Sequence, residues 1–354
     1  MSPTLLRSFC LFVAISTLSL LQAQDLQYSL LEFMPTWVNP SLTGAYEGTA
    51  RIGGVYRDQQ LNNLSEDTYQ TPGFYIDAPL VMLGKKAWLG VGGTLISDKA
   101  GFGDLTATYA QVSASYHRIL DQGRDSRTVF SAGLMGGILN RSADLSSDRI
   151  ILKEEQEVNI GGGGLTGGGL ERAGNFGSTG INLGVGISLA RQIDKERNFR
   201  IGVSARHLVP SDVELVISGG DKITRAPAIA IHGAYRQLID DKYLIEPAVF
   251  IQTTENANSA TAGQVQSMVG MYMGEESDKL IKVGLGVRLP TRFVYPMVGF
   301  EYKDFKVAAS FDINANSLQT NADSFQQGFE IGVQYIFKIY KEPKVERVIL
   351  CPQI

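Results

Sequence analysis

From about residue 49 onward the chain divides into segments of roughly 9 to 14 residues in which apolar and polar side chains alternate with period two. In 279–290, Ile281, Val283, Leu285, Val287 and Leu289 share one face, and Lys282, Gly284, Gly286 and Arg288 share the other. In 178–191, Ile181, Leu183, Val185, Ile187 and Leu189 alternate with Asn182, Gly184, Gly186 and Ser188. Near the end, Phe329, Ile331, Val333, Tyr335, Phe337 and Ile339 interleave with Glu330, Gly332, Gln334 and Lys338. A soluble sandwich also alternates, but its strands usually run to about five or six residues. Strands of about 9 to 11 residues with a polar or glycine-rich second face suit a tilted membrane crossing.

Strands are expected over 49–58, 68–78, 86–97, 105–119, 127–139, 178–191, 198–209, 224–237, 242–254, 263–274, 279–290, 292–302, 304–313 and 326–340. That is about 14, an even number, as single-chain bacterial barrels require. Loop lengths supply a separate test, because such barrels have short periplasmic turns and longer extracellular loops. Turns centred on Leu83-Gly84-Lys85, Asp121-Gln122-Gly123, Asp194-Lys195-Glu196, Asp240-Asp241, Glu275-Glu276-Ser277 and Lys303-Asp304 are brief. The alternate connections, 61–67, 97–104, 140–177, 210–223, 255–262 and 314–325, are longer, the exception being Pro290-Thr291. The expected fold class is all-β: a transmembrane outer-membrane β-barrel of about 14 antiparallel strands with a short N-terminal periplasmic segment or plug. Glycine (39 residues) weakens soluble strands but suits a tight, curved lumen. Many inward positions are Gly, Ser, Thr or Ala, which favours a narrow or plugged interior over the wide charged lumen of a porin.

The compartment agrees. Arg7 precedes an unbroken apolar stretch over about 9–21, followed by Ala23, the pattern of a secretory leader with cleavage expected after Ala23. No later stretch approaches the roughly 18 consecutive apolar residues of a membrane helix. The expected organisation is a leader over 1–23, an N-terminal periplasmic segment or plug over 24–48, the barrel over 49–340 and a periplasmic tail over 341–354. A net charge of −4 with no strongly basic domain argues against a nucleic-acid partner. Cys10 leaves with the leader, so Cys351 stands alone, either inert or intermolecular. The Gly161–164 and Gly167–169 runs lack the Lys-Ser/Thr that a phosphate-cradling loop needs, and read as an exposed loop. His117, His207 and His232 have no Gly-x-Ser-x-Gly or His-Glu-x-x-His context, and metal-ligand spacing is absent, so neither catalysis nor a metal is expected.

Residues 24–48 hold Gln24-Asp25-Leu26-Gln27-Tyr28-Ser29 and the turn-forming Asn39-Pro40-Ser41-Leu42-Thr43-Gly44. Phe33, Met34, Trp37 and Val38 give the segment apolar surface, for insertion into the barrel mouth or for lying at the membrane interface. These motifs resemble the start of the PorP/SprF family of type IX secretion membrane proteins. The resemblance continues through Arg51, Tyr56-Arg57-Asp58-Gln59-Gln60, Phe74-x-x-Asp77-x-Pro79-Leu80, Leu89-Gly90-Val91-Gly92, Asp98-x-x-Gly101, Tyr116 and the closing strand Phe329–Phe337. It thus spans nearly the whole mature chain in order; Gln60 stands where members often carry Trp. It implies an outer-membrane barrel of the Bacteroidetes machinery that exports proteins bearing a C-terminal sorting domain, with no enzymatic activity and no cofactor. It implies as partners the periplasmic ring lipoprotein complex, an OmpA-like peptidoglycan-binding protein, and a secreted sorting-domain protein or gliding adhesin, besides outer-membrane lipid.

After the last strand, Lys341, Lys344 and Arg347 alternate with Glu342, Pro343 and Glu346, as either a periplasmic partner contact or a frayed terminus. Three functions remain open at this level. The first is a secretion or adhesin-anchoring barrel; the second resembles the FadL fatty-acid channels, whose N-terminal hatch bears Asn-Pro-Ala; the third is a passive porin.

Overall fold

The computed structural model describes residues 26–59, 69–100, 105–144, 175–209, 212–213, 223–224, 227–254, 260–274, 278–315 and 327–339. The expected leader, Gln24, Asp25, both glycine runs, Lys341, Lys344, Arg347 and Cys351 lie outside them. Ahead of the strands come a 3-10 turn (Leu31–Phe33), the short helix α1 (Pro35–Val38) and a second 3-10 turn (Pro40–Leu42). Then follow β1 (Ala50–Asp58), β2 (Tyr69–Met82), β3 (Ala87–Ala100), β4 (Leu105–Gln122), β5 (Arg127–Asp144), β6 (Asn175–Gln192) and β7 (Arg197–Arg206). The two-residue strands β8 (Asp212–Val213) and β9 (Ile223–Thr224) pair only with each other. β10 (Ala228–Ile239), β11 (Tyr243–Thr254), β12 (Ala260–Met273), β13 (Lys279–Leu289), β14 (Phe293–Tyr302), β15 (Phe305–Asn314) and β16 (Gln327–Phe337) complete the chain.

Apart from β8 and β9, every strand pairs antiparallel with its neighbours, and β1 pairs with β16 from Ala50↔Phe337 to Asp58↔Phe329, closing a 14-stranded barrel. All 14 expected strands are present, and the main differences are at their ends. β4, β5 and β6 each reach 18 residues, and β10 begins at Ala228 because the β8–β9 hairpin occupies part of the preceding connection. β4 gains its extra residues at the periplasmic turn and β5 and β6 mainly on the outer side. Alternation marks where a strand is half in lipid and fades where both faces meet water, so the outer extensions of β5 and β6 left no periodic trace.

The two faces of the sheet have exchanged their usual solvents. Val112 is 70% exposed, Leu134 60%, Ile181 59% and Val283 58%, on an outer face that a bilayer, not water, must cover. No described helix is long and apolar enough to cross a membrane. The hydrophobic core lies in the lumen. There Tyr28, Leu30, Phe33, Met34 and Trp37 pack against wall residues such as Tyr75, Ile96, Tyr109 and Met297, and Leu31, Val38 and Leu42 against Ala230, Ala234 and Phe250.

Short turns gather at one rim, the periplasmic one by the loop-length rule. Asp240 and Asp241 both adopt φ of 52°, the pair of left-handed residues that a tight type I′ hairpin demands.

Candidate functional site

The site is the N-terminal segment and the wall residues that hold it. From Gln27 to Gly44 every residue is buried except the half-buried Glu32. The segment bonds to β2, β4, β6, β7, β10, β13, β15 and β16, which stand around the whole circumference, so it lies inside the barrel. It starts in the outer half, beside the outer ends of β15 and β16, and leaves at the periplasmic rim, where the Thr49 amide donates to the Phe337 carbonyl at 2.7 Å.

Four groups of polar contacts fix it. At its start, the amides of Ser29 and Leu30 donate to the Glu330 carboxylate at 2.8 and 2.9 Å, and the Ser29 hydroxyl donates to Asp312 at 2.7 Å. Arg57 and Arg288 balance these two acids, with Arg57 3.1 Å and Arg288 3.2 Å from Asp312. Both arginines also reach the segment, Arg57 to the Gln27 carbonyl and Arg288 to the Ser29 hydroxyl. Two cations thus face two anions, as burial requires, since an unpaired buried charge costs several kcal/mol, roughly 3–5 when a partner is removed.

Glu32 enters a second network near the periplasmic end. Lys282 lies 2.7 Å from Glu301, 3.1 Å from Glu246 and 3.5 Å from Glu32. Lys306 pairs with Glu301 at 3.0 Å, and Arg236 with Glu246 at 3.4 Å. Three cations (Arg236, Lys282, Lys306) therefore meet three acids, one of them supplied by the segment. Burial pushes the Glu32 carboxyl above the usual carboxylate range, against the opposing pull of Lys282. Burial likewise raises the Tyr28 and Tyr46 phenols, keeping both neutral.

Around Asn39 the contacts are neutral. Its amide donates to the carbonyls of Ile187 and Val203 and meets His232 Nε2 at 3.0 Å, while its oxygen accepts from the Ser41 amide at 2.9 Å, capping the following turn. Arg206 donates to the Trp37 carbonyl at 2.8 Å and stacks 4.5 Å from the Trp37 ring. The Thr43 carbonyl meets His117 Nε2 at 2.8 Å, and His117 stacks on Trp88, whose indole donates to the Gly44 carbonyl at 3.0 Å. His117 and His232 are therefore anchors of the segment.

The fourth group is a forked ion pair. Arg51 binds Asp77 through Nε at 3.0 Å and Nη2 at 2.7 Å, with side chains 3% and 0% exposed. The Gly44 amide donates to the same carboxylate at 2.7 Å, and the Tyr46 hydroxyl to the Asp77 carbonyl at 2.6 Å. Gly44 has φ of +66°, and a Cβ there would strike the backbone of Gly90 and Ala78. Inward glycines elsewhere also make room: a side chain on Gly90 would land on Thr43, one on Gly133 on Pro40, and one on Gly186 on Asn39.

Of the residues singled out in the sequence, Gln27, Tyr28, Ser29, Asn39, Pro40, Gly44, Arg51, Arg57 and Asp77 meet in this one assembly. Pro79 lies next to it, at a register shift in β2 beneath Gly44. Tyr56 does not join; it faces outward, 38% exposed, against Phe329. Sequence reasoning missed the wall charges, Lys282, Glu246, Glu301, Lys306, Asp312 and Arg288, as a functional set. Their signal was present, since each sits at an inward position of its strand, but only the closed sheet shows which of them meet. Among the described residues no group of three or more His, Cys, Asp or Glu is placed to hold a metal.

An apolar outer belt, a closed antiparallel sheet and a lumen filled by its own N-terminal segment define an outer-membrane β-barrel. The model of the family "Type IX secretion system membrane protein PorP/SprF" matches residues 20–335, and the chain belongs to that family. Curated proteins yield no match. Among solved structures the chain is similar to the CymD monoaromatic hydrocarbon channel at 10% identity, covering 87% of this chain and 93% of that one, with a TM-score of 0.48. It is also similar to the Ralstonia pickettii toluene transporter TbuX, at 11% identity, 85% and 93% coverage and a TM-score of 0.43. The Pseudomonas putida toluene transporter TodX compares at 10% identity, 88% and 93% coverage and a TM-score of 0.44. Likeness at this level says nothing about what any of these barrels carries.

Proposed function

We propose that this barrel is a non-enzymatic component of the type IX secretion system that supports export or surface anchoring of sorting-domain proteins or gliding adhesins by binding partners. Family membership supports the secretion role. The observation that favours binding over conduction is the lumen: a segment buried from Gln27 to Gly44, latched on all sides through charge-balanced contacts, fills it. The barrel then works through its rims and outer surface. In the periplasm its partners are the ring lipoprotein complex and an OmpA-like peptidoglycan-binding protein, with Lys341, Lys344 and Arg347 as a basic contact for them.

The rival reading is a channel for hydrophobic small molecules resembling the FadL channels, favoured by the Asn39-Pro40-Ser41 turn lying within the lumen. Deleting the gene separates the two. The secretion reading expects sorting-domain proteins or adhesins to be stranded in the periplasm, with hydrophobic uptake unchanged. Normal surface proteins together with lost uptake would transfer the assignment to the channel.

A further inference from the structure

The lipid-facing wall has a dent. Gly93, Val112 and Gly136 form one cross-strand row over β3, β4 and β5, and Val91, Ala114 and Leu134 form the next. Large and small side chains thus alternate in both directions, and the small ones leave an apolar depression of roughly 600 Å³. The wall itself does not require the glycine at 93, where an added Cβ would meet nothing nearer than 3.8 Å. Glycine inside a strand often marks a place where a ligand approaches the backbone.

Towards the periplasm the outward row of β4 continues from Ala114 through Tyr116 to Arg118, about 13 Å further on. Arg118 stands between Ala87 of β3 and Phe130 of β5. The Ile119 amide donates to the Lys86 carbonyl at 2.8 Å, which brings the β2–β3 turn alongside. Tyr116 and Phe130, both on outward rows, belong to the aromatic girdle at the level of the head groups. Every turn of this arc of the periplasmic rim lies within the described residues. Over 82–88, 118–129 and 190–198, eight Lys or Arg residues stand against four acids, in a chain of net charge −4. Arg197 pairs with Asp194 at 2.6 Å and Lys195 with Asp125 at 3.7 Å. Lys85, Lys86, Arg118, Arg124 and Arg191 are exposed and make no ion pair among the described residues.

We propose that this groove and the cations below it hold one anionic phospholipid of the periplasmic leaflet. An acyl chain lies over Gly93 and Ala114, and the phosphate meets Arg118 and Lys86. The two halves of the site are in the order that such a lipid demands, with the charges at the head-group level and the depression above them in the hydrocarbon. A free phosphate ion has no use for the apolar depression, and an uncharged apolar segment of a neighbour has none for the unpaired cations. The inference needs only the outer-membrane placement of the barrel and is independent of what it exports.

The test uses the full chain in phosphatidylcholine vesicles containing a small fraction of phosphatidylglycerol brominated in its acyl chains. Leu134→Trp puts a fluorophore on the groove wall, and Val298→Trp puts one on the lipid face directly across the barrel. The native Trp37 and Trp88 are buried in the lumen, out of reach of lipid. Half-quenching of Leu134→Trp should need about tenfold less brominated phosphatidylglycerol than that of Val298→Trp, since each basic residue contributes about 1 kcal/mol at an anionic head group. Brominated phosphatidylcholine should quench the two alike. Adding Arg118→Gln/Lys86→Gln should erase the difference in a barrel that heat-modifiable gel mobility shows to be closed. Salt at about 1 M should erase it without any substitution, whether or not that variant folds. Equal phosphatidylglycerol curves at the two positions, or a difference that survives both the charge variant and salt, would overturn the inference. So would a groove that takes brominated phosphatidylcholine as readily, or a groove fluorophore shielded from both lipids by a second copy of the chain.

Discussion

Asp77 joins three parts of the molecule: the Arg51 guanidinium of β1, the Gly44 amide at the end of the luminal segment and, through its carbonyl, the Tyr46 hydroxyl. Asp77→Ala would leave Arg51 buried without its anion, a loss of about 3–5 kcal/mol. The expected result is a lower temperature for loss of the compact band on gels, with the N-terminal segment opened to added protease. The paired replacement Arg51→Met/Asp77→Leu should cost markedly less, since it leaves no orphan charge. Glycines offer a second comparison. Gly186→Ala and Gly90→Ala would push into Asn39 and Thr43, whereas Gly93→Ala, on the lipid face, meets nothing nearer than 3.8 Å. In planar bilayers the first two should raise conductance, and Gly93→Ala should match wild type; equal traces from all three would remove the close-fit account of the inward glycines.

The strands and the luminal segment divide the work of stability differently. Each strand is held by its two ladders and by lipid on one face, so single outward substitutions among aliphatic residues should change little. The segment has only a four-residue helix and two 3-10 turns of its own, too little to be stable alone, and its order comes from the wall. Burial of side chains such as Trp37, Leu30 and Phe33 contributes on the order of 2 kcal/mol each. Deleting residues 26–44 should therefore leave a closed barrel that conducts ions, measured as single-channel openings absent from the intact protein. Loss of the barrel itself would show instead that the segment templates the sheet. At the periplasmic rim, Asp240→Asn/Asp241→Gly should raise refolding yield, because Asn-Gly meets the positive φ of this turn at lower cost than two aspartates.

For the molecule as a whole, a secretion-system barrel with a filled lumen should show its phenotype in surface proteins and not in solute uptake. Much of this architecture was legible beforehand. Period-two alternation, an even strand number and the sorting of short from long loops yielded the 14-stranded barrel, because lipid on one face imposes a pattern that each strand must repeat. The motif residues Gln27, Tyr28, Ser29, Asn39, Gly44, Arg51, Arg57 and Asp77 could likewise be picked out one by one. Their meeting could not: Ser29 and Glu330 are 301 positions apart and touch only because β1 closes against β16. The same holds for Glu32 and Lys282, two residues unremarkable in the sequence that become partners inside the lumen. Local chemistry repeated along the chain determined the strands, the compartment and the family. Closure of the sheet alone decided which charges neutralise each other and where the N-terminal segment lies, because each of these depends on contacts between residues that no local pattern connects.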